Sequence, residues 1–477
     1  MWKDLGNNRL LFVILSLFSV YLLLTFVLSA LRSPINIDAG YYLGVTELIH
    51  DGYFPIKDFG LRYTPLCFYI LQIPRWFMGE FPDYSVYMLS LYLVAIIDAI
   101  LLSSIIRRVT GNVKIAWFAG LSFLALYYYL DGEFFIIEAF SIFFGLLATT
   151  LLVEREHSAL RCILAGACCA LSFLAKQYGL LFFGFLTVLL LTSVIPIRKR
   201  LIQCLLIGLG GGIVLLFFVL WFNFKGVSIR ELISSLSGSN YGQQSLLLYA
   251  DGLKRCCKLF PYLFFLPCLF YCKQKEHYPL IWACLVGLFL ASLQFFFNVF
   301  PHYYMYLLPF VFLLCALLLH GIHSFWKIKT IFLIYVCVLF TSIAIPLQTD
   351  YTSTIALIRH NHRYEQEQAI SQLRQIVQDY KIENAFCFWN TIQFYGLCPL
   401  KPPAMQKYGY EFGYNTEEAL AERLMKADCF LVSKFDLARM NYHEMLSTAL
   451  LDNFRLLDKE LSDGTMVYFN NSCSSTP

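Results

Sequence analysis

Charge is what this chain has least of: Asp, Glu, Lys and Arg make up 14% of its 477 residues, against 58% hydrophobic residues. That is too little polar surface for a soluble globular protein of this length. With a mean hydropathy of +0.62, it reads as a polytopic membrane protein. No block of like charges occurs and the net charge is only +4, which argues against nucleic acid as a partner. A nucleophile-elbow GxSxG, a P-loop, a zinc-ligand spacing and a Rossmann fingerprint are all missing. The 16 cysteines include no ligand-like CxxC pair. Most of them, such as Cys162, Cys169, Cys284 and Cys315, lie in or beside apolar runs, where a thiol is a small apolar group. Only Cys387, Cys398, Cys429 and Cys473 fall in the polar tail, and an oxidising compartment would allow Cys387 to join Cys398. No small-residue cleavage site follows the first apolar run, so Leu10–Leu31 reads as a retained signal anchor.

What the chain has in abundance is apolar runs. Leu10–Leu31, Ser85–Ile106, Val113–Leu130, Ile136–Val153, Leu160–Ala175, Tyr178–Ile195, Leu201–Phe222, Leu253–Cys272, Leu280–Phe297, Tyr303–His320 and Thr330–Leu347 each approach the roughly 20 residues of a helical span. The expectation is an α-helical protein of about eleven transmembrane helices over residues 1–347, followed by a small α/β domain over residues 348–477. Basic residues then give the orientation. Arg107, Arg108 and Lys114, Arg155 and Arg161, Arg198–Lys199–Arg200, Lys273 and Lys275, and Lys327 and Lys329 fall in alternating loops that share a side with the N-terminus. By the positive-inside rule that side is the cytoplasm. The first loop (residues 32–84), the turns Asp131–Glu133, Lys176–Gln177 and Asn298–His302, the Phe224–Tyr249 loop and the tail then face outward. A multi-pass protein of the plasma (inner) membrane follows, with every polar stretch of chemical character on one face.

In the tail, Ala369, Ile370, Leu373, Ile376, Val377 and Tyr380 repeat at helical spacing. Ala385–Trp389 and Cys429–Val432 read as short buried strands, Thr416 as the cap of a helix through Met425, and Phe454–Leu461 with Thr465–Asn470 as a hairpin. Gly210–Gly211–Gly212, inside a span, reads as a close helix crossing.

Asp38, just outside the first span, is the sharpest chemical candidate. A carboxylate in a sheltered cavity there can take a proton from an attacking hydroxyl, and partial desolvation tunes it for that task. The same position suits the N-cap of an amphipathic helix over Ala39–Ile49. Asp58, before Gly-Leu-Arg-Tyr, either forms a turn or holds an acceptor or metal. Glu138 lies inside an apolar run beside Asp131 and Glu133, where an ionised acid facing lipid costs on the order of 2–3 kcal/mol, so a cavity or a partner is expected. Lys176, next to Gln177, either neutralises a phosphate as a point charge or snorkels to the interface. His302, followed by Tyr303, either donates to a phosphate or sugar hydroxyl or belongs to an aromatic belt.

These residues resemble a known family, the polytopic glycosyltransferases of the GT-C type, in the branch of protein O-mannosyltransferases and aminoarabinose transferases. The resemblance is carried by NIDAGYY around Asp38, by GYFPIKDFGLRYTP in the same loop, by Glu138, by LAKQYGL, by FPHYYMYLLPF and by the α/β tail. It implies an inverting transfer of a sugar from a polyprenyl phosphate-linked donor to a hydroxyl of a glycan, lipid or protein outside the membrane. Asp38 would be the general base or acceptor-orienting acid. Two departures stand out: Ala39 replaces the second acid that often follows the aspartate, and Thr64 stands before Pro65 where aminoarabinose transferases carry Glu-Lys. The first weakens a metal assignment, leaving a divalent cation possible but no cofactor required, and the second argues against aminoarabinose. Arg62, Lys176 and His302 are then the available phosphate donors, with Asp58, Glu133, Glu138, Gln177 and Tyr303 lining an acceptor site or cavity. The Tyr69–Phe77 segment, with Arg75 and Trp76, is expected to line a lateral opening for the lipid. A transporter or a non-catalytic scaffold for envelope polysaccharide remains the alternative; a transporter should carry its ionisable residues near the bilayer midplane.

Overall fold

A computed structural model of the chain describes residues 9–61, 63–153, 158–237, 245–265, 267, 275–324, 348–403, 417–440, 444–457 and 460–472. Among these residues, six helices are long and apolar enough to cross a membrane: Val13–Arg32, Tyr84–Thr110, Val113–Gly132, Ile197–Phe224, Tyr278–Phe296 and Pro301–Gly321. Three shorter apolar helices, Glu138–Leu152, Ala159–Ala175 and Gln177–Thr192, join them. The expected run Leu253–Cys272 is not one helix. Its helix, Leu246–Leu259, starts earlier and stops at Phe260, because Pro261 follows and cannot donate an amide hydrogen to continue it. The expected run Thr330–Leu347 and the cap at Thr416 lie outside the described residues.

The chain divides into two compact units. The first contains Met1–Val27, Leu91–Leu220 and Tyr241–Ala356 and is built from apolar helices. Glu138–Leu152 and Ala159–Ala175 pack as a pair, tied by hydroxyl bonds in both directions, Ser141 Oγ to the Ser172 carbonyl (3.0 Å) and Ser172 Oγ to the Ser141 carbonyl (2.7 Å). The glycine triplet does mark a close crossing, since a Cβ at Gly210 would stand 1.9 Å from the Ile163 carbonyl oxygen.

The second unit contains Leu28–Ser90, Trp221–Asn240 and Leu357–Pro477. Its tail holds a four-stranded sheet of order β1-β2-β4-β3, with β1 Ala385–Cys387, β2 Cys429–Ser433, β3 Phe454–Leu456 and β4 Thr465–Asn470. β1 runs parallel to β2, and β4 is antiparallel to both β2 and β3. Phe386, Phe430, Val432, Leu424 and Leu450 fill the space between this sheet and the helices Glu417–Met425 and Glu444–Asn453. Cys387 and Cys398 do not pair. Both are free and buried, and the Cys398 thiol points to the Ile370 carbonyl.

Two devices join this tail to the first loop within the same unit. Arg363, 2% exposed, donates to the carbonyls of Ala30 and Leu31 and to Ser85 Oγ, and pairs with Glu367. The loop helix Ile37–His50 packs on the tail helix Gln393–Leu397. A Cβ at Gly40 would come 2.5 Å from the Gln393 amide nitrogen, and one at Gly396 would come 2.5 Å from Leu43 Cβ. Only glycine permits this approach. The loop helix is therefore buried almost all round, from Ala39 through Thr46, where an amphipathic surface helix was expected.

Candidate functional site

In the first unit the fold gathers four of the expected residues. Lys176 ends the Ala159–Ala175 helix in extended backbone (φ −158°, ψ 139°), which turns its side chain to the Glu138 carboxylate that opens the partner helix. Both are at most 1% exposed, so Lys176 does not snorkel. In a buried pair of this kind the attraction between the charges offsets part of the cost of desolvating each. Tyr303 lies under the Lys176 ammonium at 5.6 Å, the range of a cation–π contact. His302 stands edge-on to Tyr303 (4.6 Å between ring centroids) and its Nε2 is 3.9 Å from Glu138 Oε1.

Asp131 completes this group, and its sequence context marked only a turn. Its carboxylate accepts from the His302 backbone amide (3.3 Å) and lies 3.1 Å from His302 Nδ1. With Nδ1 held by a carboxylate, Nε2 is the ring nitrogen left to face the cluster. Asp131 does this from a left-handed backbone (φ 68°), uncommon for a non-glycine residue and a form of strain that gathers at functional sites. Glu133 follows in the same turn, its carboxyl raised by burial and then by the Asp131 charge. Asp350 is pushed up to about 8, by burial and then by Glu133. Gln177 opens the short 3₁₀ turn after Lys176. The cluster thus sets one lysine and one histidine among four carboxyls, an arrangement able to hold a proton or to offer N–H donors to an anion.

Asp98 was passed over in the sequence. Near the middle of Tyr84–Thr110, it is fully buried, and neither carboxylate oxygen has a hydrogen-bond partner among the described residues. An acid inside an apolar run was itself the available signal.

In the second unit Asp38 is an exposed residue in the first turn of Ile37–His50. It is not the cap: Asn36 is, accepting from the Ala39 amide at 2.8 Å. Asp38 lines a cavity of 480 Å³ with Ile35, Asn36, Ile37, Gln366, Asn390 and Gln393. The last three come from the tail and were not foreseen, because their meaning depends on the fold that brings them beside the first loop. Asp58 forms a turn, its carboxylate accepting from the Phe54 amide at 2.6 Å, and it does not line this cavity among the described residues. Arg62 lies outside the described residues. Arg75 is buried, donating through Nε to both Glu47 oxygens at 2.9 Å, so it lines no lipid opening, whereas Trp76 and Phe77 are exposed at 70% and 85%. Burial raises the Glu47 carboxyl, with Arg75 opposing. Among the described residues no three His, Cys, Asp or Glu side chains are grouped to hold a metal ion.

No family model and no curated protein matches the chain. Solved structures do. The structure of ArnT from Cupriavidus metallidurans bound to undecaprenyl phosphate aligns with a TM-score of 0.59 at 15% identity, covering 97% of this chain and 99% of that one. The Archaeoglobus fulgidus oligosaccharyltransferase in its apo form aligns at 0.51 and 13% identity, covering 96% of this chain and 74% of that one. The fold expected from the first loop and the tail, a GT-C fold in a multi-span membrane protein, is the fold of this chain.

Proposed function

We propose that the chain is an inverting glycosyltransferase that moves a sugar from a polyprenyl phosphate-linked donor to a hydroxyl acceptor at the outer face of the plasma (inner) membrane. The observation that carries this is the likeness, end to end, to an ArnT structure bound to undecaprenyl phosphate. In this reading residues 1–347 form the catalytic membrane domain, residues 348–477 the extracytoplasmic domain, and the N-terminus is cytoplasmic.

The chemistry asks little of the protein beyond placement and charge. Asp38 takes the proton of the acceptor hydroxyl as its oxygen bonds to the anomeric carbon from the face opposite the phosphate. The bond from that carbon to the phosphate oxygen breaks with its electron pair, releasing polyprenyl phosphate and inverting the centre. In this reading Lys176, and His302 when its ring carries both protons, supply N–H groups that stabilise charge growing on that phosphate. Glu138 and Asp131 keep them in place beforehand, so little reorganisation accompanies the transfer. Arg62, from the first loop, is the further phosphate donor in this reading.

Purified protein given a polyprenyl phosphate sugar and a hydroxyl acceptor should release polyprenyl phosphate and form the glycoside of inverted configuration, read by lipid mass spectrometry and NMR of the anomeric proton. No consumption of any such donor overturns the proposal. One observation favours the transporter reading: Asp98, a buried acid near the middle of a span. Asp98→Asn separates the two, leaving sugar transfer intact under the proposal and abolishing solute flux in proteoliposomes under the alternative.

A further inference from the structure

We propose that a groove between the first three spans of the first unit is a binding site for one anionic glycerophospholipid, with its phosphate at Arg107 and one acyl chain along the helices. The site is separate from the groups assigned above to sugar transfer and does not depend on that function.

The groove has a volume of 490 Å³. Its walls are apolar: Leu22 and Leu23 of Val13–Arg32, Ile96 and Ile100 of Tyr84–Thr110, and Leu121 and Leu124 of Val113–Gly132. The second and third spans touch along its floor, where a Cβ at Gly120 would stand 2.1 Å from Ser103 Oγ and 3.1 Å from the Ala99 carbonyl oxygen. Ala99, Ala116 and Gly120 carry little or no side chain at this crossing, so the volume beside them stays open. Phe26, stacked on Tyr92 with 4.5 Å between ring centroids, stands at the far end.

Uncommitted polar groups gather at the other end. Ser103, Ser104 and Arg107 line the groove where it nears the loop that carries Arg108 and Lys114. Arg108 donates to the Thr150 carbonyl at 3.1 Å, and Ser19, on the opposite wall, donates to the Leu15 carbonyl at 2.8 Å. Arg107 is exposed, and neither its guanidinium nor the hydroxyls of Ser103 and Ser104 have a hydrogen-bond partner among the described residues. The two serines lie about 4–6 Å inside Arg107 along the helix axis, the step from a phosphate to the ester carbonyls of a glycerol lipid. A hydroxyl donates to such a carbonyl, and a guanidinium to the phosphate. From Ile96 to Arg107 the groove extends about 16 Å at helical rise. A hydrocarbon core is about 30 Å thick, so the groove takes one chain from one leaflet.

Other lipids match this order of groups less well. A polyprenyl phosphate has no ester between phosphate and hydrocarbon and would leave both serines unused. A zwitterionic headgroup brings an ammonium that Arg107 repels, whereas an anionic one brings only charge of the opposite sign. In the orientation proposed above, the Arg107 end lies in the cytoplasmic leaflet, the one that carries anionic lipid.

The test uses the full chain in nanodiscs of phosphatidylcholine containing phosphatidylglycerol with a photoreactive diazirine in its acyl chain. Illumination and peptide mass spectrometry read where the chain lies, and native mass spectrometry reads which lipids stay bound after transfer to detergent. Phosphatidylglycerol should be retained about 10-fold in preference to phosphatidylcholine and should label the walls, Ile100 or Leu121 among them. Arg107→Gln should remove most of that preference, a loss of about 10-fold from one charge-assisted contact. Ser104→Phe, which fills the groove, should abolish the label there. Arg198→Gln, at an exposed arginine of another basic loop, should change neither. Arg107 is exposed, so its variant tests the site even where Ser104→Phe perturbs packing. Equal retention of phosphatidylcholine, unchanged retention in Arg107→Gln, an equal loss in Arg198→Gln, or displacement of the bound lipid by equimolar undecaprenyl phosphate overturns the inference.

Discussion

Glu138 and Asp38 are both acids beside the ends of apolar helices, yet their surroundings are opposite in kind. Glu138 is fully buried, with Lys176 on one of its oxygens and the Asp131-held His302 close to it. Asp38 is exposed, and the other polar side chains that line its cavity among the described residues are amides. The first arrangement spends its charges on one another, which makes it rigid and intolerant of losing a member. The second keeps a carboxylate at an exposed position. A group that must exchange a proton with a substrate needs the second environment, and groups that must stay charged in an apolar setting need the first.

The contrast is broken most severely by Lys176→Met. Glu138 would be left buried without its counterion, at a cost of about 3–5 kcal/mol of stability, read as a large fall in the thermal unfolding midpoint. The double variant Lys176→Met/Glu138→Leu should recover most of it. If Lys176→Met keeps its stability and loses only donor affinity, the phosphate role is the ammonium's main one and the pair is incidental.

Next in size is Asp38→Asn. Transfer should slow roughly 10²-fold or more, the worth of a positioned base, while stability stays within about 1 kcal/mol because Asn keeps the size of an exposed first-turn side chain. Near-normal transfer would remove Asp38 from the chemistry. Asn36→Ala should do the reverse, costing about 1 kcal/mol through the lost cap with turnover reduced only as far as the helix frays. Measuring both quantities on both variants separates the cap from the base.

An effect of the opposite sign, a gain of stability towards neutral pH, is expected from Asp350→Asn. In the folded chain this carboxyl titrates at about 8, burial being the main cause and Glu133 the second, whereas the unfolded chain releases the proton near 4. A raised acid pKa gives stability that is fully present below the unfolded value and is lost as pH rises towards the folded one. The variant should therefore narrow the gap between unfolding temperatures at pH 5 and pH 8. An undiminished gap would place the pH dependence on other groups.

Much of the membrane architecture was legible because a span writes itself into about twenty consecutive residues, and Glu138, Lys176 and His302 stood out as polar residues in apolar company. The pairing of Lys176 with Glu138 was less legible, since a lysine at a helix end reads equally well as snorkelling until the neighbouring helix is in view. Asn36 and Asp38 are both capping residue types two positions apart, and only the helix start at Ile37 decides between them. Asp98 was hidden by averaging hydropathy over a strongly apolar run. Gln393 and Asn390 carried no mark at all, for an amide acquires meaning only from the remote segment it faces. The burial of the loop helix was out of reach for the same reason.

The glycine contacts at Gly40 and Gly396 also have a mechanical meaning. Two helices whose backbones touch have no side-chain layer between them to act as a lubricant, so sliding or tilting of one against the other meets main-chain atoms at once. The loop helix and the tail helix then move as one piece. Entry to the cavity beside Asp38 must come from rotation of its own side chains or from bending of the short segment before Asn36, and a hinge between loop and tail is mechanically closed to it.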